Sequence, residues 1–155
     1  MRGHVTPTPS ARPIRSLCCL LGDELIACDL DGLEASREIK GHRFLAPGPF
    51  TMEKADFTEY EKLLKEHFVI LSFPERRNII KEQLLKFGCL EERLDEELID
   101  ICANLTEYPN CVKGDIAPEY LELPPEVLIT TLKKHQKSFP CYDAKGGLEA
   151  AFLSV

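Results

Sequence analysis

A mixed α+β domain is the fold class this sequence predicts. Three observations predict it: short apolar β-like runs near the start, a middle section with apolar residues at helical spacing, and a return to β-like runs at the end. The expected architecture has strands at both ends and about four helices between them. With 155 residues, 44% of them hydrophobic, the chain can bury a core of its own, so residues 12–155 are read as a single domain. Residues 1–11, MRGHVTPTPSA, lack the apolar stretch and cleavage site of a signal peptide. Their Pro, Thr and Ser content suits a disordered leader or a cloning scar outside the fold.

Residues 14–21 form an apolar run that ends at Gly22-Asp23, and residues 25–30 form another that ends at Asp31-Gly32. Two strands joined by a tight turn fit this pattern. The segment GHRFLAPGP, residues 41–49, holds too much Gly and Pro for regular structure and reads as an ordered loop. Phe57, Tyr60, Leu64 and Phe68 then recur at helical spacing, predicting a helix over about residues 53–67 with one apolar stripe. Ser72-x-x-Glu75 is a capping-box pattern, and Pro74 is tolerated in a first turn, so a second helix follows. Its face is Ile80, Leu84 and Phe87, and Gly88 ends it. Leu94, Leu98, Cys102 and Leu105 mark a third helix, closed before Pro109. After the β-like CVKG and the Pro-bounded DIAPEYLELPPE, Pro125 opens a fourth helix that reaches about Gln136. SFPCYD and LEAAFLSV, either side of Lys145-Gly146-Gly147, read as a closing hairpin. The apolar, strand-like finish over residues 150–155 fits a truncated chain.

The formal net charge of −7 argues against generic polyanion binding, which usually goes with a basic excess, so any RNA contact must be local. Acid concentrates in EERLDEELID, residues 91–100, read as a solvated helix face. Positive charge collects in REIKGHR, residues 37–43, and KKHQK, residues 133–137. No apolar run is long enough to cross a bilayer, and there is no internal repeat. The seven cysteines, Cys18, Cys19, Cys28, Cys89, Cys102, Cys111 and Cys141, contain no C-x-x-C pair and mostly have aliphatic neighbours. They read as buried, reduced thiols of a cytosolic protein.

Asp29-Leu30-Asp31-Gly32 resembles the D-x-D-G of haloacid-dehalogenase phosphatases, in which one Asp is the nucleophile and the other the acid/base, so that Asp29 and Asp31 would share those roles. Leu33 stands where that motif continues with Thr, and a plain turn explains the residues equally well. The segment lacks the ligand positions of a calcium loop. The four histidines are scattered, and neither a phosphate-binding G-x-x-x-x-G-K-[ST] nor a G-x-S-x-G occurs. What remains are the basic clusters. On a helix, Lys133 and Lys137 would share a face, with Lys134 beside them and His135 and Gln136 able to exchange hydrogen bonds. Such a face could hold RNA phosphates, or its lysines could simply complement a helix dipole. His42 and Arg43, in a Gly/Pro-framed loop, could present donors to a phosphate or carboxylate. Internal pairing of Arg43 with an acidic neighbour is the alternative.

Several phrases also resemble, in order and spacing, successive stretches of the glycyl-tRNA synthetase beta subunit. They are Arg12-Pro13-Ile14-Arg15 with LLGDELI, GHRFLAPGPF, PERR at 74–77, TEYPNCVKG and LPPEVLITTLKKHQKSFP, and together they span roughly residues 12–155. The resemblance implies a part of glycine-tRNA ligase, an ATP-dependent enzyme that is tetrameric or fused, with its class II catalytic site on the alpha subunit. ATP and magnesium would belong to that subunit, and this segment would hold no cofactor and be inactive alone. The matched part is similar to the B3/B4-like region, implying a B3/B4-like fold. The implied partners are tRNA-Gly, the alpha subunit or region and the remaining beta-subunit domains, in the cytoplasm, with no membrane and no DNA. Arg43, Lys133, Lys134 and Lys137 are the implied RNA contacts, with His42, His135 and Gln136 in support. A purely structural interface domain is the alternative. The family's HD, linker and anticodon-binding regions have no counterpart here, Tyr108 stands where Trp is common, and Ser138 where Tyr is common.

Overall fold

Gly22-Asp23 and Asp31-Gly32 both turn the chain back on itself in the computed structural model, which describes residues 14–143 and 145–155. The expectation for residues 1–11 lies outside the described residues. By its contacts the chain divides into two compact units, one ending at Leu71 and one running Ser72–Val155, where the sequence reading expects one.

In the first unit, β1 (Leu20–Leu21) pairs with β2 (Glu24–Leu25), and β3 (Asp29–Leu30) with β4 (Leu33–Glu34), all antiparallel. Asp31 and Gly32 both sit at positive φ, +53° and +85°, as a type I′ turn requires. The run 25–30, expected as one strand, is therefore split between two ribbons. Residues 21–30 are all exposed, so no packed face holds a longer strand together. The phosphatase alternative finds no support in this geometry. Asp29 accepts the Gly32 N–H at 3.2 Å as a turn residue, on a two-residue antiparallel strand. It does not stand at the carboxyl end of a parallel α/β sheet, where open-sheet active sites form.

The pair β5 (Glu38–Lys40) and β6 (Pro49–Thr51) brackets the loop over residues 41–48, and its register sets Ile39 opposite Phe50. The sequence reading placed Pro49 in the loop, whereas Pro is tolerated as the first residue of an edge strand. Helix α1 (Phe57–Glu66) is capped by Asp56, whose carboxylate accepts the Glu59 N–H at 3.1 Å. Its stripe is only partly buried: Leu64 is in the core, but Phe57 is 68% exposed. Phe50 and Met52 are also buried in this unit.

The second unit follows the sequence pattern closely. Ser72 accepts the Glu75 N–H at the start of α2 (Phe73–Lys86), and Gly88, at φ +92°, lets the chain leave it. Helix α3 (Glu96–Leu105) is capped by Asp95, and α4 (Pro125–Thr130) runs on into a π-helical turn, Thr131–His135. Short 3₁₀ turns occupy Glu91–Arg93 and Pro118–Glu122. Strands β7 (Val112–Asp115), β8 (Phe139–Tyr142) and β9 (Leu148–Ser154) form an antiparallel sheet with β9 in the centre. Alternation along β9 sends Ala151 and Leu153 into a core built with Ile80 and Leu84 of α2 and Ile99 and Cys102 of α3. Burying each large aliphatic chain there contributes about 1.5–3 kcal/mol. On the opposite face the tip of the Phe152 ring lies against Gly114, where a Cβ would come 2.5 Å from its Cζ. The mixed α+β class with four α-helices is what the described residues form.

The cysteine expectation holds in part. Cys102, Cys111 and Cys141 are buried free thiols, and burial pushes Cys111 up to about 11. Cys28, however, is exposed.

Candidate nucleic-acid interface

The basic loop is set by a glycine and two histidines. Gly41 packs against the end of α1 so closely that a Cβ would lie 2.5 Å from the His67 Cβ and 2.7 Å from its carbonyl oxygen. His67, in turn, stacks on Phe50 with ring centroids 4.3 Å apart. The His42 N–H donates to the His67 carbonyl at 2.9 Å, and the Ala46 N–H donates to the His42 carbonyl at 2.9 Å. The His42 ring folds inward, and its Nδ1 accepts from the N–H groups of Phe44 at 3.3 Å and Leu45 at 3.2 Å. That places the ring proton on Nε2 and makes His42 the keystone of the turn more than a free donor. Arg43 is exposed at the tip, with its guanidinium 5.6 Å from the Phe44 ring centroid and no ion-pair partner among the described residues. The internal pairing weighed for Arg43 is therefore not what the geometry gives.

Arg37 behaves in the opposite way. It donates to the carbonyls of Met52, Glu53 and Asp23, tying the first ribbon to the segment after β6. Of the positive residues in 37–43, Lys40 and Arg43 are left to act on a ligand.

The lysine cluster of the second unit does not form the expected common face. The Gln136 N–H reaches back five residues to the Thr131 carbonyl, so the turn carrying Lys133 is wider than an α-helical one. Lys137 lies beyond the helix at φ +54°, and its ammonium caps the Lys134 carbonyl at 2.9 Å. Lys133 turns inward and pairs with Asp95 at 2.8 Å. That ammonium and the Leu98 N–H hold the Asp95 carboxyl below the usual carboxylate range. Lys134, His135 and Gln136 remain exposed, and Gln136 also edges an apolar groove of about 510 Å³ beside Tyr120, Val127 and Phe152.

The acidic run 91–100 is correspondingly not a bare solvated face. Arg77 binds Glu96 and Asp100, Lys81 binds Glu91 and Glu96, and Lys133 binds Asp95. Among the described residues no group of three or more His, Cys, Asp or Glu side chains is placed to hold a metal ion. No helix among them is long and apolar enough to cross a membrane. Sequence reasoning counted Lys40 only within the basic run 37–43 and passed over Phe44, whose signal was an aromatic residue directly after an arginine in a Gly/Pro loop.

Comparison with known proteins matches residues 2–155 to the family described as glycyl-tRNA synthetase beta subunit, a span that takes in residues 2–11 as well. The glycine-tRNA ligase beta subunit of Moorella thermoacetica is 42% identical over 148 residues, which cover 94% of this chain and 21% of that protein. The corresponding subunit of Listeria monocytogenes serotype 4b is 39% identical over 147 residues, with 93% and 21% covered. That of Syntrophomonas wolfei is 37% identical over 153 residues, with 96% and 22% covered. The chain thus spans about a fifth of the length of these relatives. Matched along nearly its whole length, this chain belongs to the glycyl-tRNA synthetase beta subunit family.

Proposed function

We propose that this chain serves glycine-tRNA ligase as a tRNA-positioning segment and carries out no chemistry itself. The observation that carries the reading is the family match over residues 2–155. ATP, magnesium and the joining of glycine to tRNA-Gly belong in this reading to the alpha subunit or region, and the assembly works in the cytoplasm. The local charge supports an RNA contact made by few residues. Lys40 and Arg43 of the first unit, and Lys134 with His135 of the second, lack ion-pair partners among the described residues. Lys133 is the weaker candidate because its ammonium already pairs with Asp95, while Lys137 spends one exposed hydrogen bond on the Lys134 carbonyl.

The test is tRNA-Gly binding by the 155-residue chain at two salt concentrations, against an unrelated tRNA. About three phosphate contacts give a log-log salt slope of about −2 to −3. Absence of binding at low salt would refute the reading. A second reading, that the chain is an interface domain of the synthetase, is favoured by the groove at Tyr120, Val127 and Phe152. It predicts salt-insensitive association with other parts of the enzyme.

A further inference from the structure

Phe44 is 79% exposed, the most open large apolar side chain among the described residues. A single exposed ring on a slack loop would call for no explanation. Phe44 instead stands on a turn held by four hydrogen bonds: two N–H groups on His42 Nδ1, Ala46 on the His42 carbonyl, and His42 on the His67 carbonyl. The Arg43 guanidinium lies 5.6 Å from the ring centroid, and the His42 ring is tilted at 6.3 Å. A pre-positioned aromatic ring beside an unpaired cation is the combination that receives a nucleotide, base on ring and phosphate on guanidinium.

We propose that Phe44 is a stacking seat for one unpaired RNA base and that Arg43 holds an adjoining phosphate, an inference that rests on the tRNA-handling reading above. The extent of the patch favours RNA over a protein partner. One ring and the half-open Leu45 offer far less than the roughly 800 Å² per partner that a stable protein interface buries. They match the area of a single base.

The chain contains no tryptophan, so Phe44→Trp places one fluorescent reporter at the seat. The measurement is tryptophan emission of that variant, and affinity of the parent chain, Phe44→Ala and Arg43→Ala, each with tRNA-Gly and with a short unstructured oligoadenylate. The expected result is quenching by RNA and near-parental affinity for Phe44→Trp, with affinity lowered about 5- to 150-fold for Phe44→Ala. Arg43→Ala should lower the salt slope by about one phosphate's share. If the parent chain binds tRNA-Gly while Phe44→Ala binds equally well and Phe44→Trp is not quenched, the seat is refuted and the tRNA reading stands. If tRNA-Gly does not bind but oligoadenylate quenches the tryptophan, the tRNA reading fails and the seat stands. Quenching by neither RNA overturns the seat.

Discussion

Asp95 joins two elements that lie far apart in sequence, and its replacement separates a helix cap from an ion pair. Its Oδ1 accepts the Leu98 N–H at 3.0 Å and caps α3, while its Oδ2 meets the Lys133 ammonium at 2.8 Å. Losing an N-cap acceptor costs about 1 kcal/mol. The two paired side chains retain 29% and 31% of their exposure, so water screens the pair and its share is about 0.5–1 kcal/mol. Asp95→Ala should therefore lower stability by about 1.5–2 kcal/mol, whereas Asp95→Asn keeps a good cap and should lose only about 0.5–1 kcal/mol. Lys133→Ala should match the asparagine variant and add little to Asp95→Asn when the two are combined.

The pH dependence carries a sign. Because the folded carboxyl is held below its ordinary value of 3.8, its contribution is fully present above the unfolded pKa. It is lost as pH falls through the lower folded pKa. The gap between the parent chain and Asp95→Asn should accordingly be constant near neutrality and close in acid. Urea unfolding curves of the parent chain, the three single variants and the double variant, at pH 7 and in acid, measure both effects. Equal losses for Asp95→Ala and Asp95→Asn would refute the division into cap and pair. A folded Lys133→Ala chain that binds tRNA-Gly tenfold more weakly would refute the assignment of Lys133 to the fold.

Gly41→Ala drives a methyl into the backbone and Cβ of His67 and should destabilise the first unit by about 1–3 kcal/mol, read as an earlier thermal transition with loss of tRNA binding through the loop. Leu84→Ala empties a fully buried position between α2 and the sheet and should cost about 2–5 kcal/mol in urea unfolding. Alkylation of the native chain with iodoacetamide, followed by mass spectrometry, should modify exposed Cys28 well before Cys111, whose thiol is buried and pushed up to about 11.

The second unit was largely legible because its signals are local. Ser72 and Glu75 announce α2, Gly88 ends it at positive φ, Pro125 opens α4, and Ala151 and Leu153 alternate in β9. Each of these is settled by residues within a turn or two of one another. The first unit was less so. Its ribbons pair two or three residues at a time, too few to show an alternation, and Phe50 lies in a strand begun by a proline that reads as loop. The end of α4 was also opaque: sequence spacing assumes 3.6 residues per turn, and the π-helical turn moves Lys133 and Lys137 off a shared face.

The same limit decides which cations are available to a ligand. Charge is visible in a sequence, but its partner is not when it comes from a distant element: Asp95 lies 38 residues from Lys133, and Asp100 lies 23 residues from Arg77. Several residues of the recognisable phrases are engaged in the fold. In PERR, Arg76 donates to the Ala103 carbonyl and Arg77 to Asp100, while Gln83 holds the Pro109 carbonyl and the Cys111 N–H of the TEYPNC stretch. In LKKHQK, Lys133 and Lys137 both cap groups of the chain itself. The half-buried bonds of Arg76, Arg77, Gln83 and Lys133 are costly to lose, which ties those residues to the fold whatever ligand is bound, whereas the Lys137 bond is exposed. A contact with RNA, as proposed, would fall on side chains the fold leaves unused, and the exposed arginine and phenylalanine of the loop over residues 41–48 meet that condition where Lys133 does not.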